Sequence, residues 1–145
     1  MNITSDILNF IISEVPIQKK EMGGLLGYDK NRTIVSTILD RGLHKDTHDY
    51  TYYPNIPLFN KTISEWAEND ISFAGIFHTH YSDQADLSTA DIIYIEKILL
   101  SLPKEIDVLF FPLLLIPSKA FIPFEAIIDE KGTIHIREDR LIILK

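Results

Sequence analysis

Residues 71–78, ISFAGIFH, constrain the fold more than any other stretch of this chain. Nearly every position is a β-former or a small residue, so the run reads as a strand. After a polar stretch the chain takes up helical spacing from about 88 to 101, with Ile92, Ile95, Ile98, Leu99 and Leu102 on one side. A strand leading into an amphipathic helix calls for a sheet with helices packed on it.

The flanking segments keep the same grammar. Ile7, Phe10, Ile11 and Val15 stand at helical spacing over 5–15, and Pro16 marks the stop. GGLLGYDKNRTIVSTILD, 23–40, reads as a hairpin with Asp29–Arg32 as its turn. Residues 42–56 are polar and aromatic, a loop with an extended piece at Tyr50–Tyr53. Residues 57–69 predict a second helix with Leu58, Thr62, Ile63 and Trp66 along one side. EIDVLFFPLLLI, 105–116, reads as one buried strand, with Pro112 implying a bulge or a sheet edge. AFIPFEAIID and GTIHIRED form a final hairpin closed by Glu130-Lys131-Gly132. The expected order is helix, two strands, helix, strand, helix, three strands: an α/β (α+β) domain over 1–145 with a mixed, curved central sheet flanked by helices. The apolar tail LIILK fits either another strand or a second subunit, so a homodimer stays open.

Charge narrows the function. With 14 basic and 21 acidic residues the net charge is −7, and no dense Lys/Arg cluster exists to displace counterions from nucleic acid or to seek an anionic membrane. Cysteine is absent, which excludes disulfides and thiolate metal sites. The run VLFFPLLLI, 108–116, is too short to span a bilayer as a helix, and the N-terminus lacks the charged region and cleavage site of a signal peptide. The default expectation is a cytoplasmic protein.

The chemistry concentrates in FHTHYSDQADLSTAD, 77–91. His78 and His80 are two apart at a strand end, so both imidazoles leave the same face. Two imidazoles and one carboxylate make a three-donor set suited to catalytic zinc, which lowers the pKa of water to about 7. Asp91 supplies the carboxylate if a helix starts near Ser88 and turns its first turn toward the strand. Ser88 to Asp91 also fits an ordinary helix N-terminus, with Ser88 as N-cap. The metallo-β-lactamase pattern wants a histidine just after its HxHxD, and here Tyr81-Ser82-Asp83 follow His80. A cupin would place its ligands on barrel strands, against which three helices argue. On donor type alone, non-haem iron also fits.

His78-Thr79-His80, seven residues, then Ser88-x-x-Asp91 resembles the JAMM motif of the JAB/MPN metallopeptidases, HxH(x)7SxxD. The family's upstream glutamate and glycine-rich strand start have a counterpart in Glu21-Met22-Gly23-Gly24-Leu25-Leu26-Gly27, between the first helix and the first hairpin. The resemblance covers essentially the whole chain and implies the JAB/MPN, cytidine deaminase-like fold. It implies one zinc per chain held by His78, His80 and Asp91, with Glu21 as general base and acid and Ser88 as donor to the oxyanion. It also implies a substrate: the C-terminal tail of a ubiquitin-like protein, or a conjugate of it. Tyr81 and Leu87 stand where the family usually has prolines, which bears on loop rigidity and not on metal binding. A non-catalytic MPN-type interaction scaffold and a RadC-like JAB protein are the alternatives. Gly23, Gly24 and Gly27 are expected to permit close packing or unusual φ angles. His44, His48 and His135 are expected to be exposed, with a place along the border of a substrate groove as the alternative for His44 and His48. Tyr50, Tyr52 and Tyr53 are expected to pack, or to line a groove for an extended tail.

Overall fold

The computed structural model describes residues 1–43 and 50–145; His44 and His48 lie outside the described residues. The chain order is β1 (Asn2–Thr4), α1 (Ser5–Glu14), β2 (Gly23–Tyr28), β3 (Thr33–Asp40), α2 (Ile56–Ala67), β4 (Ser72–His80), α3 (Thr89–Ser101), β5 (Val108–Phe110), β6 (Leu113–Leu115), β7 (Phe121–Ile122), β8 (Phe124–Ile128), β9 (Ile134–Glu138) and β10 (Ile142–Leu144). The strands form one mixed sheet in the order β10-β1-β3-β2-β4-β5-β8-β9, with β6 also on β4 and β7 on β6.

Strand alternation sorts side chains between two cores. Leu26, Phe77 and Phe110 pack with Leu8 and Ile11 of α1. Their sequence neighbours Leu25, Ile76 and Leu109 pack with Phe59 and Trp66 of α2 and with Ile95 and Leu99 of α3. The sheet is therefore covered by α1 on one face and by α2 and α3 on the other, and the expected α/β class holds.

Each helix begins on a side-chain cap. Thr4 accepts from the Ile7 N–H (3.4 Å), and Asn55 from the Leu58 N–H (3.2 Å), with Pro57 in the first turn. The buried faces of α1 and α2 are rotated from the expected ones. Leu8 and Ile11 face the core, Phe10 is 43 % exposed, and on α2 Phe59 joins Thr62 and Trp66 in place of Leu58. Both helices are short, so one face can be shifted by a residue without breaking the 3.6 period, and the sheet's shape decides.

The strand expected over 105–116 is two strands. At Gly75 β4 meets β5, and from His78 to His80 it meets β6, both in parallel. Pro112, fully buried, sits at the changeover, where its carbonyl accepts from the His78 N–H (3.2 Å) and no donor is needed. A side chain at Gly75 would strike the backbone of Phe110. Proline also splits the next expected strand, separating β7 from β8 at Pro123. Three N-terminal residues, not expected as a strand, form β1, and β10 pairs with it in parallel, Asn2 opposite Ile142. The tail's partner is thus a strand of its own chain.

Candidate metal centre

Residues Ile76, His78 and His80 share one face of β4, the face that carries α3. Antiparallel pairing sets Gly23 of β2 opposite His78 and Leu25 opposite Ile76, so odd-numbered β2 positions share that face. Glu21, two residues before Gly23, keeps the same side. Thr79 fixes it there from the opposite face. The buried Thr79 hydroxyl accepts from the Met22 N–H (3.0 Å), and the Thr79 N–H donates to the Met22 carbonyl (2.9 Å). The Glu21 N–H donates to the Tyr50 carbonyl (2.8 Å), and Glu21 Oε2 accepts from the Tyr52 N–H (3.4 Å).

The start of α3 delivers Asp91. Ser88 Oγ accepts from the Asp91 N–H (3.0 Å), and Asp91 Oδ2 accepts from the Ser88 N–H (2.9 Å), a complete capping box. The same Oδ2 lies 3.3 Å from His78 Nε2 and 3.3 Å from His80 Nε2, and the two Nε2 atoms are 3.1 Å apart. The helix cap and the cluster are one construction: the carboxylate oxygen that closes the cap also faces both imidazoles.

These three donors fit a metal. A tetrahedral ion with bonds of about 2.0–2.1 Å holds its donors about 3.3 Å apart. The observed triangle has edges of 3.1, 3.3 and 3.3 Å. Two imidazole nitrogens this close, both facing one carboxylate oxygen, cannot all remain acceptors; a proton or a cation must lie among them. Among the described residues this is the one cluster of three or more such donors able to hold a metal. His80 is also held by a hydrogen bond with the Gln84 backbone, the kind of outer contact that sets a ligating ring's orientation.

The electrostatics follow from burial and proximity. Burial raises the Asp91 carboxyl, but the bonds from His78 and His80 outweigh it and hold it well below the ordinary carboxylate range. Burial lowers His80, yet Asp91 and Glu21 bring it above the usual imidazole value. For Glu21 burial dominates and raises the carboxyl, with His78 and His80 opposing.

Two hollows meet at this cluster, and Glu21, Thr51, Ala90 and Asp91 border both. One, of about 210 Å³, includes His78; the other, of about 390 Å³, includes His80 and Ser88. All five residues that the sequence singles out therefore stand around one place. Thr79, Tyr52 and Asp40, which fix Glu21 and its neighbours, were not among them. Thr79 had a signal: a β-branched polar residue between two same-face histidines must point into the opposite core. Gly23, Gly24 and Gly27 owe their place to close packing, against Tyr52, Phe77 and Trp66 respectively, and none has a positive φ. His135 is exposed and pairs with Asp129 (2.9 Å).

No protein-family model matches the sequence, and no curated protein matches it significantly. Solved structures do. A protein of Desulfitobacterium hafniense determined in solution superposes with a TM-score of 0.63 at 17 % identity, over 98 % of this chain and 91 % of that one. A JAB1/MPN domain protein of Archaeoglobus fulgidus gives a TM-score of 0.56 at 15 % identity, over 99 % and 97 % of the two chains. The chain has the JAB1/MPN fold. A structure described as JAMM, a metalloprotease-like zinc site in the proteasome and signalosome, gives a TM-score of 0.52 at 14 % identity, over 100 % of this chain and 98 % of that one. Among the described residues no helix is long and apolar enough to cross a membrane.

Proposed function

We propose that the chain is a zinc-dependent metallopeptidase of the JAMM type. It would hydrolyse a peptide or isopeptide bond after the C-terminal tail of a ubiquitin-like protein. The observation that carries the reading is the convergence of His78, His80 and Asp91 to within 3.3 Å of one another, with Glu21 on the rim of the same hollows. The choice of a ubiquitin-like tail rests on the motif resemblance.

His78, His80 and Asp91 hold the ion, one per chain. When bound, zinc supplies a Lewis acid and makes a nucleophile available from water at neutral pH. Glu21, half-buried, is the base that takes a proton from the attacking water and returns it to the leaving amine; its raised pKa suits both halves of that task. Ser88 accepts a hydrogen bond within the cap, so its hydroxyl hydrogen stays available for an oxyanion.

The test begins with zinc per chain in purified protein beside the His78→Ala/His80→Ala variant. One zinc in the wild type, absent from the variant, is expected. Glu21→Gln should keep the zinc and lose hydrolysis of ubiquitin-like fusions by at least about 10²-fold. Failure of the wild type to take up zinc after chelation and reloading sinks the reading. Zinc uptake without hydrolysis of any such fusion leaves an interaction scaffold instead.

A further inference from the structure

The two hollows that meet at the cluster differ in chemistry. The larger, bordered by Lys19, His80, Tyr81, Ser82 and Ser88, mixes polar and apolar surface in similar amounts. The smaller enters the apolar core beneath α3, with Ile76, Ile95 and Phe111 beside it and Tyr52 and Tyr94 as walls. Its mouth carries His78 and Glu21.

This apolar cavity is held open by design of the chain around it. Gly23 has no Cβ, and a side chain there would strike the Tyr52 ring. The Tyr52 hydroxyl donates to the buried carboxylate of Asp40 (2.7 Å), which also accepts from the N–H groups of Asn55 and Gly42 (2.8 Å each). The backbone on either side is tied as well: the Glu21 N–H donates to the Tyr50 carbonyl (2.8 Å), and the Leu43 N–H to the Tyr53 carbonyl (2.8 Å). A ring anchored at its hydroxyl and its backbone cannot fall inward to close the space. A volume of about 210 Å³ exceeds the roughly 150 Å³ that accommodates benzene in an apolar protein cavity.

We infer that this cavity is a specificity pocket that takes a bulky apolar side chain, of leucine or phenylalanine size, from a residue flanking the scissile bond. The inference rests on the peptidase reading, and it adds what that reading leaves out. A bond placed between Glu21 and His78 sends one flanking side chain into the apolar cavity and leaves the other side of the substrate in the mixed hollow beside His80 and Ser88. Glycine at the flanking position would leave the cavity unfilled and forgo the burial of a large apolar side chain, a loss of about tenfold or more in binding.

The test uses capped pentapeptides that differ only at one central residue, Gly, Ala, Leu or Phe. Binding to the metal-free full chain is followed by NMR, and hydrolysis by the zinc-loaded chain by mass spectrometry. Leu and Phe peptides should bind the metal-free protein at least about tenfold more tightly than Gly. Ala90→Phe, at an exposed helix position on the cavity mouth, should abolish that preference while zinc uptake is retained. Should Ala90→Phe fail to fold, Tyr53→Ala decides: it removes an exposed wall residue and should also reduce the preference. Equal binding of Gly and Phe peptides, or no binding of any at millimolar concentration, overturns the inference. Apolar preference in binding with no hydrolysis keeps the pocket and discards the peptidase reading; hydrolysis indifferent to the flanking residue does the reverse.

Discussion

Glu21 shows how much one residue depends on its neighbours. In sequence it is a charge after Lys19-Lys20, and a solvated position would be the ordinary expectation. In the fold it is half-buried, with one backbone bond from Tyr52 and a carboxyl pKa raised by burial. A carboxyl whose folded pKa lies above its unfolded value of 4.5 favours the protonated form. Its contribution is present below pH 4.5 and is lost as pH rises through the folded value, so at pH 7 the ionised group opposes folding. Glu21→Gln keeps the acceptor for Tyr52 and removes that charge. The metal-free variant should therefore melt higher than the metal-free wild type at pH 7, with the difference gone near pH 4. A lower melting temperature at pH 7 would contradict the account. Stability and activity would then pull in opposite directions at this residue, as is common at sites built for chemistry.

At the scale of elements, the start of α3 does two jobs with one set of atoms. Asp91 Oδ2 closes the capping box and faces both imidazoles. Ser88→Ala should cost about 1 kcal/mol in the unfolding free energy, the usual loss for an N-cap. It should also weaken zinc binding, although Ser88 is not assigned as a ligand, because the first turn loses one of the two bonds that aim Asp91. A thermal melt and a zinc titration on the same variant measure both effects. Unchanged zinc affinity beside a reduced melting temperature would separate cap from site. Helix α3, β4 and the HxH spacing were legible because each follows from a local period: two along a strand, 3.6 along a helix. The division of 105–116 into β5 and β6 was not, since a buried apolar run carries no period that marks a change of partner.

Across the whole molecule, the site and the sheet's far edge are separate. Cluster residues come from β4, the start of α3 and the approach to β2, whereas β10 and β1 lie on the other side of β3. Removing 141–145 strips β10 from β1, uncovers β1 as an edge and deletes three exposed apolar residues, Ile142, Ile143 and Leu144. The shortened chain should melt roughly 5–10 °C lower and self-associate through the bared edge, with zinc uptake unchanged. Calorimetry, sedimentation and a zinc titration check the three parts, and lost zinc uptake would show that the edge supports the site.

By itself the sequence determined the α/β class, the three helices, the hairpins and the residues that gather at the cluster. Each of these is written in spacings of ten residues or fewer or in a motif with fixed separations, except Glu21, to which only the family resemblance pointed. Only the tertiary structure decided what required distant segments to meet. β1 is too short to announce itself and exists because Thr33 and Ile142 lie on either side of it. The face of α1 is chosen by the sheet it covers. The apolar cavity beside His78 needs Gly23, Asp40, Tyr52 and Phe111 in one place, and no local pattern records a hydroxyl bonded to a carboxylate twelve residues away.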